Sequence, residues 1–262
     1  MAGSSATVLT HVRQGGAKRG LAEFGLISPR MVQTCAMPAP EIVDEFTEPH
    51  FNRSALLLID TQLDFLDGGA SPIGGTTERL SLMMELVQAY REAGLPIIHV
   101  VRLYEGDDID LVRRRSLVPD GQVVRAGSRG ADLPTELRLD PTTRLDADLL
   151  LSGRFQQVGP NEVIMWKPRW SAFYRTPLDA HLTDLDIDTV VIAGCNFPNC
   201  PRATIFDASE RDLRIVIADD AVSQTTPERL SDAEAIGARR ASAAQVIQRL
   251  PAKHLQADSQ VV

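Results

Sequence analysis

Three side chains that could take part in nucleophilic chemistry each follow a short apolar run: Asp60, Lys167 and Cys200. Continuous apolar runs of this length are typical of strands that are buried on both faces of a parallel sheet. Ligands of open parallel sheets bind beyond the carboxyl ends of the strands. We therefore expect an acid, an ammonium and a thiol to meet at one edge of a sheet, where they would form a nucleophilic site.

The surroundings of Cys200 favour a reactive thiol. Pro201 follows it, and proline is favoured in the first turn of a helix. The sulfur would then lie near free N–H groups and the positive end of the helix dipole, which predicts a lowered thiol pKa, as does a nearby Lys167. The thiolate would attack a carbonyl carbon. Asp60 would take the thiol proton and return it to a leaving nitrogen, while backbone N–H groups hold the oxyanion.

Each of these residues also has a purely structural interpretation. A cysteine at a junction between strand and helix is often a small buried apolar residue. An aspartate after a strand often caps a helix or stabilises a turn, and a lysine there is often solvated. Spacing along the chain does not by itself show that the three side chains meet.

The elements that would position these residues alternate between strands and helices. We predict strands over residues 55–59, 95–101, 163–166, 189–193 and 215–218. We predict helices over residues 76–93 and 177–185, from about residue 200, and over residues 227–250. This alternation predicts an α/β fold with three layers (α-β-α) and a mostly parallel, Rossmann-type sheet of about six strands. Residues 104–159 show no clear pattern, and a segment of that length is functional or contains short elements of its own.

Composition limits the class of protein. The chain of 262 residues has 35 acidic and 27 basic side chains, a net charge of −8, and no long basic run, so we expect no nucleic-acid partner. No apolar stretch approaches the roughly 18–20 residues that span a bilayer, so we expect no membrane partner. Three cysteines do not make a disulfide framework, and an odd count predicts free thiols in a reducing compartment, the cytoplasm.

The N-terminal residues differ from the rest of the chain. The first thirty hold four basic residues against one acidic residue, together with five glycines, and they contain no apolar core of a secretory signal. We predict a disordered or extended leader over residues 1–45 and a single domain over residues 46–255. A transit peptide and a later start at Met31 are alternative interpretations of the leader.

Three motifs, in this order along the chain, resemble those of the isochorismatase-like cysteine hydrolase superfamily. They are IDTQLDF (59–65), KPRWSAF (167–173) and GCNFPNCPRAT (194–204). The resemblance covers about residues 50–225. The superfamily includes nicotinamidases, N-carbamoylsarcosine amidase, biuret hydrolase and streptothricin hydrolase.

The resemblance implies a role for each matched residue. Cys200 would be the nucleophile, Asp60 the general acid and base, and Lys167 the residue that orients and polarises the pair. A cis peptide bond would join Cys195 to Asn196, and the backbone N–H groups of Asn196 and Cys200 would form the oxyanion hole. Cys195 itself would be structural.

The implied activity is hydrolysis of a C–N bond in a small amide, ureide or lactam through a thioester acyl-enzyme, without a cofactor. The alternatives are an isochorismatase-type ether hydrolase, which lacks the cysteine, and a non-catalytic relative that acts as a binding protein. The implied partners are a small-molecule substrate and further copies of the chain, in a homodimer or homotetramer.

Departures from the family pattern bear on metal binding and on the substrate. Nicotinamidases have an Asp-x-His metal motif after the second strand, and the corresponding segment VRLYEGDDID (101–110) contains no histidine, so we expect no metal. A cation on Asp107, Asp108 and Asp110 is the alternative. Many relatives have Thr-Asp where this chain has Phe197 and Pro198, so no substrate is transferred through that position. Candidate substrate-binding residues are Phe65, Tyr104, Arg169, Trp170, Tyr174 and Phe197.

Overall fold

The computed structural model describes residues 44–106, 108–117 and 122–252, without the side chains of residues 115–117. The leader predicted over residues 1–45 lies almost wholly outside the described residues, as do Met31, Cys35 and Asp107. That leader and the domain limits 46–255 therefore stay predictions.

Within the described residues, seven strands form one sheet in the order β3-β4-β2-β1-β5-β6-β7. Every neighbouring pair is parallel except β3 and β4, which are antiparallel. The strands are β1 Ser54–Ile59, β2 Ile97–Val101, β3 Gln156–Gly159, β4 Glu162–Trp166, β5 Thr189–Gly194, β6 Arg214–Val222 and β7 Arg239–Ala241. The predicted α/β fold with a mostly parallel sheet is confirmed, with one strand more than the sequence predicts.

Helices cover both faces of this sheet, because the strands are apolar on both faces. The described helices are α1 Leu80–Ala93, α2 Leu111–Leu117, α3 Ala147–Leu151, α4 Leu178–Asp184, α5 Cys200–Ser209, α6 Pro227–Glu234 and α7 Ala243–Arg249. In β1, Leu57 and Ile59 share a core with α4, α5 and α6, while Leu56 and Leu58 share the opposite core with α1 and α7. None of the helices in the described part of the chain is long and apolar enough to cross a membrane.

Two sequence-based expectations need correction. Residues 227–250 are not one helix: they form α6, the short strand β7 and α7. Gly237 takes a left-handed conformation after α6, and Ser242 starts α7 with a capping box, so the chain has room for a strand between them. Residues 104–159 contain α2, α3 and β3, and the strand β3 was missed because it is short and only partly buried.

Four adjacent strands, β4, β2, β1 and β5, end at the same edge of the sheet. Gly194 closes β5 with a positive φ of 113°, and a Cβ atom there would lie 2.2 Å from the carbonyl oxygen of Ile59. Only glycine fits so close to the neighbouring backbone. This contact brings the loop after β5 directly beside the residue that follows β1.

A buried ionic cluster lies at the opposite end of the central strands. Glu162, the first residue of β4, accepts hydrogen bonds of 2.8 Å from Arg91 on α1 and pairs at 2.8 Å with His99 on β2. Burial acts to raise the pKa of Glu162, but the bonds and charges of Arg91 and His99 outweigh it and lower the pKa to about 2.

We expect the Glu162→Gln variant to lose about 3 kcal/mol of unfolding free energy at neutral pH, because the Arg91 guanidinium loses its counter-ion. In the native protein the depressed pKa stabilises the fold above the ordinary glutamate pKa of 4.5, and this contribution disappears as the pH falls toward about 2. Urea unfolding at several pH values measures both effects. The exposed Glu85→Gln change on α1 is the control. Equal stability of the two variants at pH 7 would show that the buried ion pair of Glu162 does not stabilise the fold.

Candidate active site

An ion pair joins the first two sequence motifs at the edge of the sheet. The Lys167 ammonium, which is fully buried, donates a hydrogen bond of 2.9 Å to Oδ2 of Asp60. Asp60 leaves β1 with a positive φ of 53°, a conformation that aspartate adopts more readily than most residues. Its other oxygen, Oδ1, is buried and has no hydrogen-bond partner among the described residues, so it is available to accept a proton.

Cys200 is the first residue of α5, and Pro201 lies in the first turn as the sequence predicts. Thr204, one turn later, ties this helix to the second motif. Its hydroxyl donates to the carbonyl oxygen of Cys200 at 2.8 Å and accepts from the N–H of Ala172 at 3.0 Å. The bonds through Thr204 hold the second and third motifs together around the thiol.

Arg102 is a site residue that the sequence analysis missed. Its guanidinium is buried, and its Nη2 lies 3.6 Å from the Sγ of Cys200. Its Nη1 bonds to Oδ2 of Asp110, and the Tyr104 hydroxyl donates to the same oxygen at 2.9 Å. Arg102 directly follows β2, just as Asp60 follows β1 and Lys167 follows β4, so the rule that selected those two residues also selects Arg102.

The electrostatics of the thiol differ from the sequence-based expectation. We expected a lowered pKa, but burial raises the pKa of Cys200, and the negative charge of Asp60 raises it further. Lys167 and Arg102 act in the opposite direction without cancelling these effects. The resting site therefore favours a protonated thiol, and a base must remove its proton before the sulfur can attack.

The loop between β5 and α5 contains the two backbone N–H groups that the resemblance assigns to the oxyanion hole. The peptide bond between Cys195 and Asn196 is cis, as the resemblance implies. The N–H groups of Asn196 and Cys200 donate no hydrogen bond to any residue that the structure describes, whereas Phe197 donates to Ser223 at 2.9 Å. The Cys195 thiol is fully buried and donates to the backbone oxygen of Asp60 at 3.1 Å, which fits the structural role expected of it.

A cavity of about 370 Å³ adjoins this cluster. Three of the candidate substrate-binding residues line it: Arg169, Trp170 and Tyr174. Asp110 also lines it and bonds to Arg102, which contacts Cys200, so a chain of contacts leads from the cavity to the thiol. The remaining lining residues are Leu111, Val112, Ser171 and Asp207.

The other candidate substrate-binding residues lie away from this cavity. Phe65 and Tyr104 are buried in a separate small core and do not line the cavity, although the Tyr104 hydroxyl bonds to Asp110, which does. The Arg113 guanidinium lies 5.5 Å from the centroid of the Phe65 ring. Phe197 has no exposed surface and packs in the main core with α4, α5 and α6. The structure does not bring Phe197 to the cavity wall.

Two of the three acidic residues considered as cation ligands, Asp108 and Asp110, are paired with arginines; Asp107 lies outside the described residues. Asp108 bonds to Arg169 at 2.9 Å, and Asp110 bonds to Arg102. Within the part of the chain that the structure describes, no three histidine, cysteine or acidic side chains are grouped so as to hold a metal ion.

Comparisons with known proteins show which proteins this chain is similar to. The isochorismatase domain family matches residues 150–249. A "probable inactive nicotinamidase" of Arabidopsis thaliana is 30% identical over 184 residues, which are 68% of this chain and 84% of that protein. Ureidoacrylate amidohydrolase RutB of Methylobacterium radiotolerans is 25% identical over 214 residues, which are 74% of each protein. The crystal structure of an isochorismatase family protein from Desulfovibrio vulgaris matches with a TM-score of 0.62 and 28% identity, covering 74% of this chain and 95% of that one.

The raised thiol pKa predicts how Cys200 reacts with iodoacetamide in the absence of substrate. Because only the thiolate reacts, the rate should keep rising with pH through 9, the ordinary value for a thiol, without a plateau near neutrality. Asp60→Asn removes the nearby negative charge and should speed the reaction at pH 8, roughly tenfold for each unit by which the pKa falls. Peptide mass spectrometry measures both rates.

The exposed Asp67→Asn change on the same segment is the control for this experiment. It removes an equal charge that water screens, so the alkylation rate of Cys200 should not change. A rate plateau below pH 8 in the native protein would contradict the assignment of a protonated resting thiol.

Proposed function

The chain belongs to the isochorismatase-like hydrolase family, and from this premise we propose that it is a cysteine-dependent amidohydrolase acting on a small amide, ureide or lactam. The observation that carries the proposal is the convergence of three motifs on one thiol. Asp60 has one oxygen on Lys167 and one without a partner, and its charge raises the pKa of Cys200. In this arrangement Asp60 can act as the general base and acid, and Cys200 is the nucleophile beside it.

The first half of the proposed reaction forms a thioester. Oδ1 of Asp60 takes the proton of Cys200, and the thiolate attacks the carbonyl carbon of the substrate. The developing oxyanion accepts hydrogen bonds from the N–H groups of Asn196 and Cys200. The C–N bond then breaks, and the Asp60 carboxyl gives its proton to the nitrogen, which departs as ammonia or an amine or, in a lactam, stays attached to the acyl group as an amine.

The second half releases the acid. Asp60, again ionised, takes a proton from water while the water oxygen attacks the thioester carbonyl. The C–S bond breaks, the sulfur recovers its proton from Asp60, and the site returns to its starting state. Lys167 keeps the carboxylate oriented throughout, because its ammonium is buried against Oδ2 and has little freedom to move.

The raised thiol pKa explains why the site needs a base so close to the sulfur. A thiol that is mostly protonated at neutral pH must lose its proton before or during attack, and Asp60 beside the sulfur is the base that can take it. Lys167 and Arg102 favour the resulting thiolate, because both cations lower the thiol pKa.

The relatives support the reaction class and leave the substrate open. Ureidoacrylate amidohydrolase is named for a ureido compound that also carries a carboxylate, and only its ureido group is used here, in support of an amide or ureide substrate. The Arabidopsis relative is named as inactive, so the proposal needs a direct assay. We also propose a homodimer or homotetramer in the cytoplasm that uses no cofactor.

We expect Cys200→Ala to lower turnover by at least about a thousandfold without unfolding the protein, because it removes the attacking atom. Ammonia release from a panel of primary amides and ureides, together with ring opening of lactams followed by mass spectrometry, tests this, with circular dichroism as a check on folding. The Cys35→Ala variant should keep full activity, because Cys35 lies in the predicted leader.

The same panel separates the alternatives. An ether hydrolase of the isochorismatase type would release no ammonia and would stay active after Cys200 is alkylated. A binding protein would show no turnover of any substrate, although its thiol could still react. Retained amide hydrolysis in the Cys200→Ala variant would contradict the mechanism.

A further inference from the structure

Four buried charged side chains surround the Cys200 thiol in two pairs. The first pair is Asp60 and Lys167, and the second is Arg102 and Asp110. All four are at least about nine-tenths buried, and the Arg102 guanidinium lies 3.6 Å from the sulfur. In the mechanism Arg102 only favours the thiolate and Asp110 has no part, so the Arg102–Asp110 pair requires its own explanation.

The charges of the two pairs balance in each state of the proposed reaction. In the resting site, two carboxylates face two cations around a neutral thiol. When Asp60 takes the thiol proton, the thiolate replaces its negative charge, and the oxyanion later replaces that of the thiolate. The net charge of the two pairs, the sulfur and the substrate stays at zero provided that the substrate itself is uncharged. A substrate carboxylate beside the sulfur would add one uncompensated negative charge in a water-poor site, which is unfavourable.

We propose that the Arg102–Asp110 pair makes this site select an uncharged substrate, and that Asp110 is the specificity-determining residue. The inference rests on the proposed role of Cys200 and deepens it. Arg102 alone would attract an anionic group to the sulfur, because a buried guanidinium is a strong partner for carboxylates. Asp110 is bonded to that guanidinium, so Arg102 is not free to bind an anionic group of the substrate. Asp110 also lines the adjoining cavity, where its negative charge repels an anion.

Charges at the rim of the cavity do not set this balance. Arg169 and Asp108 form a pair whose side chains are 41% and 57% exposed, so water and salt screen them. Asp207 also lines the cavity and is partly exposed. The buried pair is screened far less and therefore dominates the potential at the sulfur.

Two alkylating reagents of nearly the same size test the proposal on the native protein. Iodoacetamide is neutral and iodoacetate is anionic, and both transfer a two-carbon group to a thiolate. Their rate ratio at Cys200, divided by the ratio for free cysteine, reports the charge preference of the site. We expect the site to disfavour iodoacetate by at least about tenfold. A normalised ratio of one, or a preference for iodoacetate, overturns the proposal.

We expect Asp110→Asn to remove this preference against iodoacetate or to reverse it. This variant keeps the side-chain shape but leaves Arg102 without a counter-ion, so iodoacetate should gain at least about tenfold over iodoacetamide relative to the native protein. Asp108→Asn is the matched control. Asp108 lies two residues before Asp110 and carries an equal charge, but its side chain bonds to Arg169 and not to Arg102. It should leave the ratio within about twofold. An unchanged ratio in Asp110→Asn contradicts the proposal.

A double variant guards against loss of folding in Asp110→Asn. Arg102→Gln combined with Asp110→Asn removes both charges, leaves no unpaired ion, and should return the ratio toward the native value. A double variant that still prefers iodoacetate would show that the Arg102 charge does not cause the preference, which also overturns the proposal.

The corresponding substrate experiment uses succinamide, a neutral diamide, and succinamate, in which one amide is replaced by a carboxylate. Ammonia release should favour succinamide in the native protein, and the preference should shrink in Asp110→Asn; the reverse order contradicts the proposal. The alkylation ratios do not depend on turnover. Failure of the amidohydrolase proposal would therefore appear as absent ammonia release with intact ratios, and failure of the charge inference would appear in the ratios themselves.

Discussion

The ion pair between Lys167 and Asp60 is the interaction on which the rest of the site depends. It joins residues 107 positions apart in sequence, and both side chains are withdrawn from water. Removing either partner of a buried pair typically costs about 3–5 kcal/mol, because the other charge loses its compensation. The pair therefore fixes the second motif against the end of β1. It also leaves one carboxylate oxygen free for chemistry at the neighbouring thiol.

The same water-poor surroundings set the reactivity of the thiol. Burial penalises every charged form, so Cys200 is held as a thiol although two cations lie near it. A site of this kind keeps its nucleophile protonated until a substrate arrives and a base can share the proton. A carboxylate beside the sulfur can accept the thiol proton, which a cation alone could not do. It also gives the leaving nitrogen a proton donor in the second part of the same step.

The sequence predicted the main strands well, because strands buried on both faces are read directly from continuous apolar runs. It predicted β1, β2, β4 and β5 to within a few residues at their ends. It failed where the pattern carried little information. The strand β3 is short and partly exposed, and β7 has only one buried residue, so neither shows an apolar run.

The types and order of the site residues were determined by the sequence: Asp60, Lys167 and Cys200 each stand at the end of a recognisable element. Only the tertiary structure decided that Arg102 touches the sulfur, that Asp110 neutralises it, and that Phe197 faces the core instead of the cavity. It also reversed the expected shift in the thiol pKa. The physical reason is that local patterns encode which elements form, whereas desolvation and charge pairing depend on which distant side chains share one buried volume.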